Sequence, residues 1–307
     1  MTDKPHIRGR FAPSPTGRMH LGNIYTALLS WLSVKSVGGE WILRIEDLDP
    51  QRSKSTYAEQ IEDDLHWLGL PWDEGGYIAG YRQSERADIY EYYFGLLQQK
   101  GVIYPCFCSR ADIMASQAPH AGEHHVYAGT CRHLTDTERR KKMSERKPAI
   151  RLAVPDQTIC FTDGHYGKHC ANLKTDSGDF VVRRADGVFA YQLAVVVDDA
   201  LMHINQVVRG NDLLTSTPQQ IYLYRQLGFD VPQFYHLPLL CSASGERLCK
   251  RDKSLDLGKL RKNFSAEEIV GELAFLAHLI DKKEPVSPQE LLPLFDWQKI
   301  PHTNIVI

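Results

Sequence analysis

The sequence has no run of about 18 consecutive apolar residues, the length a helix needs to cross a bilayer. The opening residues, Met1-Thr2-Asp3-Lys4-Pro5-His6, also lack the apolar centre of a secretory leader. The expected location is therefore cytoplasmic, with no membrane contact. No charge dominates: 36 Lys and Arg stand against 38 Asp and Glu, a formal net charge of −2. No global field draws the chain to nucleic acid, so any RNA contact must come from local patches. Cysteine is sparse and odd in number, at seven. That fits reduced thiols or a metal site better than a disulfide framework. Internal repeats and low-complexity segments are absent. What is present is ordinary for a globular protein: 307 residues, 43% hydrophobic and 24% charged, enough for a sizeable core and a division into two domains.

The most informative stretch is residues 10–23. Residues 7–11 read as a short strand that Pro13 and Pro15 forbid to continue, and Gly17 supplies backbone freedom. From His20 the pattern is helical, with Leu21, Ile24, Leu28 and Leu29 near one face. A histidine, a glycine and several unpaired backbone N–H groups thus gather at the first turn of a helix, where a phosphate is stabilised. Arg10, Ser14, His20 and Asn23 crowd the same turn, which favours a nucleotide site over an ordinary strand-to-helix connection.

Residues 40–49 begin as a buried strand and end in Glu46, Asp47 and Asp49, giving strand, helix, strand, the start of a doubly wound parallel sheet. Helices are expected from about Thr56 to Leu68 and from about Ser84, a candidate cap, to Lys100. The stripe Tyr90, Tyr93, Phe94 and Leu97 reads as core. Cys106, Cys108 and Cys131 supply three thiolates for a closed tetrahedral zinc site. On chemistry alone the fourth ligand is a histidine from His120, His124, His125 or His133, with Tyr127 also nearby. Residues 111–126 read as a polar loop. Residues 139–147 are strongly basic, a solvated helix face by default and an RNA phosphate contact as the sharper reading.

Strands are expected at 149–154, 157–162 and 180–184, making a β-rich insertion. Residues 189–199 form a long apolar stretch ending in Asp198 and Asp199. A strand at 205–212 ends in Arg209, Gly210 and Asp212, a helix starts at Thr217-Pro218, and a strand follows at 234–240. The tail is helical, with capping boxes at Ser265–Glu268 and Ser287–Glu290, and no clear element at 300–307. Arg10 with Ser14 and His20, Glu46, Tyr191 and Arg209 then fall at strand ends of one sheet, where ligands gather. Two arginines suit carboxylates and Glu46 suits an ammonium, which describes a small acidic amino acid. The helix start and the loop at Lys250 add a place for ATP.

These residues resemble a known family. Arg10-Phe11-Ala12-Pro13-Ser14-Pro15-Thr16-Gly17 with His20-Leu21-Gly22-Asn23 is similar to the HIGH-type signature of class I aminoacyl-tRNA synthetases in its glutamyl form. Arg44-Ile45-Glu46-Asp47-Leu48-Asp49, Trp67 to Glu74, Tyr81 to Arg86 and Val195 to Asp199 also look glutamyl-type. The resemblance runs from about residue 6 to residue 255. Within the group, the best likeness is to the short paralogues directed at queuosine in tRNA(Asp). Full glutamyl enzymes continue into a helical anticodon-binding region for which 307 residues leave no room.

The resemblance implies an α/β fold: a Rossmann-type doubly wound parallel sheet with a β-rich zinc-containing insertion and a short helical C-terminal tail. Expected boundaries are 1–105 and 187–258 for the halves of the catalytic domain, 106–186 for the insertion and 259–307 for the tail. It implies a glutamate pocket of Arg10, Phe11, Ala12, Pro13, Ser14, Glu46, Tyr191 and Arg209. ATP falls to His20, Gly22, Asn23, Arg247 and Lys250, with His20 and Lys250 catalytic. It makes Tyr127 the fourth zinc ligand beside Cys106, Cys108 and Cys131, and brings Mg²⁺ with ATP. The implied partners are ATP, L-glutamate and queuosine-containing tRNA(Asp), acting on a monomer. Competing readings are a truncated glutamyl-tRNA synthetase charging a tRNA 3′ end and a non-catalytic RNA-binding relic. The loop Arg247-Leu248-Cys249-Lys250-Arg251 departs from the family's KMSKS pattern, with Arg for the first Lys and Cys249 for a Ser.

Overall fold

The computed structural model describes residues 6–109, 111–112, 126–243, 245 and 256–307. Arg247, Lys250, His120, His124, His125 and most of the 111–126 loop lie outside them. Strand β1 (Arg8–Phe11) stops at the Pro13/Pro15 turn and helix α1 (Leu21–Lys35) follows. Strand β2 (Glu40–Leu43), helix α2 (Ser55–Trp67), strand β3 (Glu74–Gly75) and helix α3 (Ala87–Gln99) complete the first half. Ser84 does not cap α3: it lies in a short 3-10 turn, and its N–H and hydroxyl both donate to Asp47.

Four strands and one helix come next: β4 (Ile103–Cys106), α4 (Asp136–Glu145), β5 (Ala149–Leu152), β6 (Thr158–Asp163) and β7 (Gly167–Asn172). Strand β8 (Phe180–Arg183) joins β4 and β5 in an antiparallel sheet, while β6 and β7 form a separate hairpin. Strand β7 was not legible in the sequence, because its Gly, Lys, His and Asn carry no apolar alternation. Cys160 and Cys170 face each other across this hairpin and are joined in a disulfide, so the expectation that all seven cysteines are reduced or metal-bound is corrected. Helix α4 has no buried residue, as a solvated basic helix should.

Helix α5 (Tyr191–Leu201) takes up the apolar stretch, so Tyr191 opens a helix and does not end a strand. Side chains are buried without a break from Leu193 to Asp199, nearly two full turns, which explains why no clean period was visible. Strand β9 (Gln206–Gly210), helix α6 (Thr217–Leu227), strands β10 (Gln233–Leu237) and β11 (Leu240–Cys241) follow. Helices α7 (Leu257–Leu260), α8 (Ala266–Leu276) and α9 (Pro288–Leu291) precede β12 (Ile305–Val306). Both predicted capping boxes are present, at Ser265 and Ser287. Strand β12 pairs in parallel with β11, so residues 300–307 are not without an element.

The five-stranded sheet has the order β10-β9-β1-β2-β3, with every pair parallel. Neighbouring residues point to opposite faces. Trp41 and Leu43 join a core with Leu28, Ile61 and Leu273, while Ile42 joins another with Tyr90, Leu193 and Ile221. Helices therefore cover both faces, and the carboxyl ends of β1 and β9, side by side at mid-sheet, open on a crevice.

Candidate active site

That crevice is a cavity of about 490 Å³. Arg10, Phe11, Ala12, Pro13, Ser14, His20, Gly22, Asn23, Glu46, Tyr191 and Arg209 all line it, so every described residue assigned from the sequence to glutamate or ATP meets there.

The helix start is built by a reciprocal cap. His20 is the N-cap of α1 in extended conformation. Its Nδ1 accepts from the Gly22 N–H at 3.2 Å, and Asn23 Oδ1 accepts from the His20 N–H at 3.2 Å. With Nδ1 accepting, the proton of the neutral ring lies on Nε2. A Cβ at Gly22 would stand 3.1 Å from the His20 ring, close enough that the ring would have to give by a few tenths of an ångström.

Behind the cavity lies a buried charge network, most of it missed from the sequence. Asp199 accepts from Arg44 Nη1 at 2.7 Å and from Arg10 Nε at 3.1 Å. Asp198 accepts from Arg86 Nε at 2.7 Å, Gln83 Nε2 at 2.7 Å and Tyr90 OH at 2.8 Å. Arg44 also reaches Glu46 at 3.3 Å. The two carboxylates of the Val195–Asp199 motif thus hold arginines in place. Burial pushes the Glu46 carboxyl above the usual range, against the pull of Arg44 and Arg10. The signal for this network was an arginine, Arg44, directly after the apolar strand residues of β2.

Arg209 differs from the other arginines. It is 4% exposed, and its three nitrogens donate only to neutral acceptors: His236 Nε2 at 3.1 Å, Gln220 Oε1 at 2.7 Å and Thr217 Oγ1 at 2.8 Å. No described carboxylate forms an ion pair with it. Burial, seconded by the positive field of Arg10, pushes Arg209 below the ordinary arginine range. A buried cation without an anionic partner is costly, so this arginine calls for an anion in the cavity. One N–H on each Nη remains beyond those bonds, the fork that grips a carboxylate. The Tyr25 hydroxyl is a further lining group the sequence did not single out; it is buried and has no partner among the described residues.

A second cluster lies in the insertion. The sulfur atoms of Cys106, Cys108 and Cys131 all lie within 4.8 Å of one another. Tyr127 OH lies 3.3 Å from Cys106 Sγ and 3.7 Å from Cys108 Sγ. His133 is exposed and is not among this group, so the choice of a histidine as fourth ligand finds no support among the described residues.

Residues 6–271 match the family described as tRNA synthetases class I (E and Q), catalytic domain. The chain belongs to this family. Membership makes it a ligase. It is 52% identical to a Glutamyl-Q tRNA(Asp) synthetase of Symbiobacterium thermophilum, over 97% of this chain and 95% of that protein. It is 42% identical to the Glutamate--tRNA ligase of Aquifex aeolicus, over 96% of this chain but 62% of that one. Among solved structures, a glutamate tRNA ligase from Elizabethkingia meningosepticum in complex with its amino acid superposes with a TM-score of 0.82 at 32% identity, covering 98% of this chain and 66% of that chain. The chain thus spans about two-thirds of the glutamate ligases and nearly all of the Glutamyl-Q relative. No helix among the described residues is long and apolar enough to cross a membrane.

Proposed function

We propose that this enzyme activates L-glutamate with ATP and transfers it to the queuosine base of tRNA(Asp). The observation that carries the first half is Arg209, a buried cation lacking a counter-ion on the wall of a cavity sized for a small substrate. The α-carboxylate must reach ATP, so the side-chain carboxylate is the one that stays against Arg209. Glu46 receives the α-ammonium, and Arg10, Ala12, Ser14 and Tyr191 complete the pocket. An α-carboxylate oxygen attacks the α-phosphorus, the bond to the bridging oxygen breaks, and pyrophosphate leaves with glutamyl-adenylate formed. His20 Nε2–H and the start of α1 hold phosphate oxygens. Lys250 and Arg247 offset the charge of the departing pyrophosphate, and Mg²⁺ accompanies ATP through phosphate oxygens and water. A queuosine hydroxyl then attacks the adenylate carbonyl and AMP leaves.

The match along nearly the whole length of a Glutamyl-Q relative, against 62% of a glutamate ligase, favours queuosine over a tRNA 3′ end as acceptor. A relic has no use for an anion-seeking Arg209, which weighs against a non-catalytic role. Three thiolates suit Zn²⁺, one ion per chain, which would tie the insertion together, and the family resemblance makes Tyr127, whose hydroxyl lies 3.3 Å from Cys106 Sγ, the fourth ligand. The tRNA substrate sets the work in the cytoplasm, with the chain acting as a monomer.

Purified protein is expected to exchange labelled pyrophosphate into ATP when L-glutamate is present and tRNA is absent. L-Glutamine, which leaves Arg209 without an anion, is expected to give about one-tenth to one-hundredth of that rate, the worth of a charged hydrogen bond. Equal exchange with both amino acids, or none with glutamate, sinks the reading.

A further inference from the structure

Arg209 is braced from behind. His236 sits opposite Arg209 in the β9–β10 register and is wholly buried. Its Nε2 accepts from Arg209 Nε at 3.1 Å, and its Nδ1 lies 2.6 Å from Asp163 Oδ2. Asp163 ends β6, in the hairpin of the insertion. Its Oδ1 accepts the backbone N–H of Tyr166 at 2.9 Å, of His165 at 3.0 Å and of His236 at 3.2 Å. A carboxylate is acceptor-only, so Nδ1 must carry the ring proton, and the lone pair on Nε2 is then free to accept from Arg209. Burial holds the ring neutral, down to about 4, against the pull of Asp163. The hairpin is clamped to β10: Gly164 N–H donates to Phe234 O at 2.8 Å, and a Cβ on Gly164 would stand 2.0 Å from the Tyr235 ring.

We propose that Asp163 and His236 are positioning residues for glutamate recognition: Asp163 fixes the Nδ1–H tautomer of His236, and the Nε2 of that ring aims the Arg209 guanidinium at the substrate carboxylate. The proposal rests on Arg209 binding the carboxylate, as above. It makes the β6–β7 hairpin part of the amino-acid site, although its nearest member acts only through two other side chains.

Asp163→Asn tests it sharply. The amide oxygen of the new side chain satisfies the three backbone N–H groups, and its NH₂ then faces His236 Nδ1. The ring proton is forced to Nε2, where it meets the Arg209 Nε–H donor to donor. In glutamate-dependent exchange, D163N is expected to raise the KM for glutamate roughly ten- to hundredfold, the span of one hydrogen bond to a charged group, and to leave the KM for ATP unchanged. In D163N/H236Q, a glutamine oxygen at the Nε2 position accepts from Arg209 without help, and the KM for glutamate is expected to return towards wild type. An unchanged KM for glutamate in D163N, or equal rises for both substrates, overturns the proposal. If D163N does not fold, ¹⁵N NMR of the wild-type histidines decides, with His236 identified by its loss in H236Q. An unprotonated Nε2 supports the proposal, and a protonated Nε2 overturns it. A wild type silent in exchange would instead sink the glutamate reading, and the NMR result would stand apart from it.

Discussion

Arg209→Ala is expected to lower kcat/KM for glutamate-dependent pyrophosphate exchange by about thirtyfold to a few thousandfold, and to leave the melting temperature nearly unchanged. The first expectation follows from charge. Removing one partner of a buried, hydrogen-bonded charge pair costs about 2–5 kcal/mol, and each 1.4 kcal/mol is tenfold. The second follows from the missing counter-ion. Arg209 forms no ion pair among the described residues, so its loss strands no carboxylate, and because Arg209 itself lines the cavity, the space it vacates opens to water that can reach the freed acceptors on His236, Gln220 and Thr217. Arg10 is different: removing it leaves Asp199 short of a partner. Arg209→Lys keeps the charge but loses the fork, and an intermediate loss of about ten- to hundredfold is expected. Exchange that survives Arg209→Ala within a factor of about three, far below the cost of one charged hydrogen bond, would show that another group holds the carboxylate.

The second large effect concerns the cysteine cluster. Metal analysis is expected to find about one zinc per chain, and Cys131→Ala to abolish it, since a structural site needs all four ligands. The apolar core at this site is small: Tyr104, Cys106, Phe107, Tyr127 and Cys131 are its buried members. So few side chains supply little hydrophobic stabilisation, whereas structural zinc in finger peptides supplies about 10–16 kcal/mol. Loss of the metal should therefore loosen β4, β5 and β8 together. Hydrogen exchange is expected to speed up across residues 103–106, 149–152 and 180–183 in Cys131→Ala while β1 and β2 keep their protection. Full zinc content in Cys131→Ala would remove that cysteine from the site, and unchanged protection after zinc loss would deny the metal its structural role.

How much of this was legible in the sequence depended on how local the signal was. The β1–α1 turn was, because two prolines, two glycines, His20 and Asn23 sit within 14 consecutive residues, 10–23, although the His20/Asn23 cap itself shows only in the structure. The pocket residues were found by family resemblance and by the acid or arginine at each strand end. Tyr191 was placed at a strand end because α5 buries residues on most of its surface, which erases the helical period. Strand β12 escaped notice since it is two residues long and its partner β11 lies some sixty positions earlier. The disulfide partners were visible as cysteines, but only the hairpin register brings them face to face. The brace behind Arg209 could not be seen at all: Asp163 and His236 are 73 positions apart, and each alone reads as an ordinary polar residue beside an apolar strand. Sequence patterns disclose which groups line the cavity; what holds those groups still is set by tertiary contacts.

The central claim, that glutamate ends on queuosine, is tested most directly by comparing tRNA(Asp) with and without that base. Wild-type enzyme supplied with ATP and labelled glutamate is expected to label queuosine-containing tRNA(Asp) and to leave the same tRNA bearing unmodified guanosine unlabelled. Equal labelling of the two would contradict the account and mark the tRNA 3′ end as the acceptor.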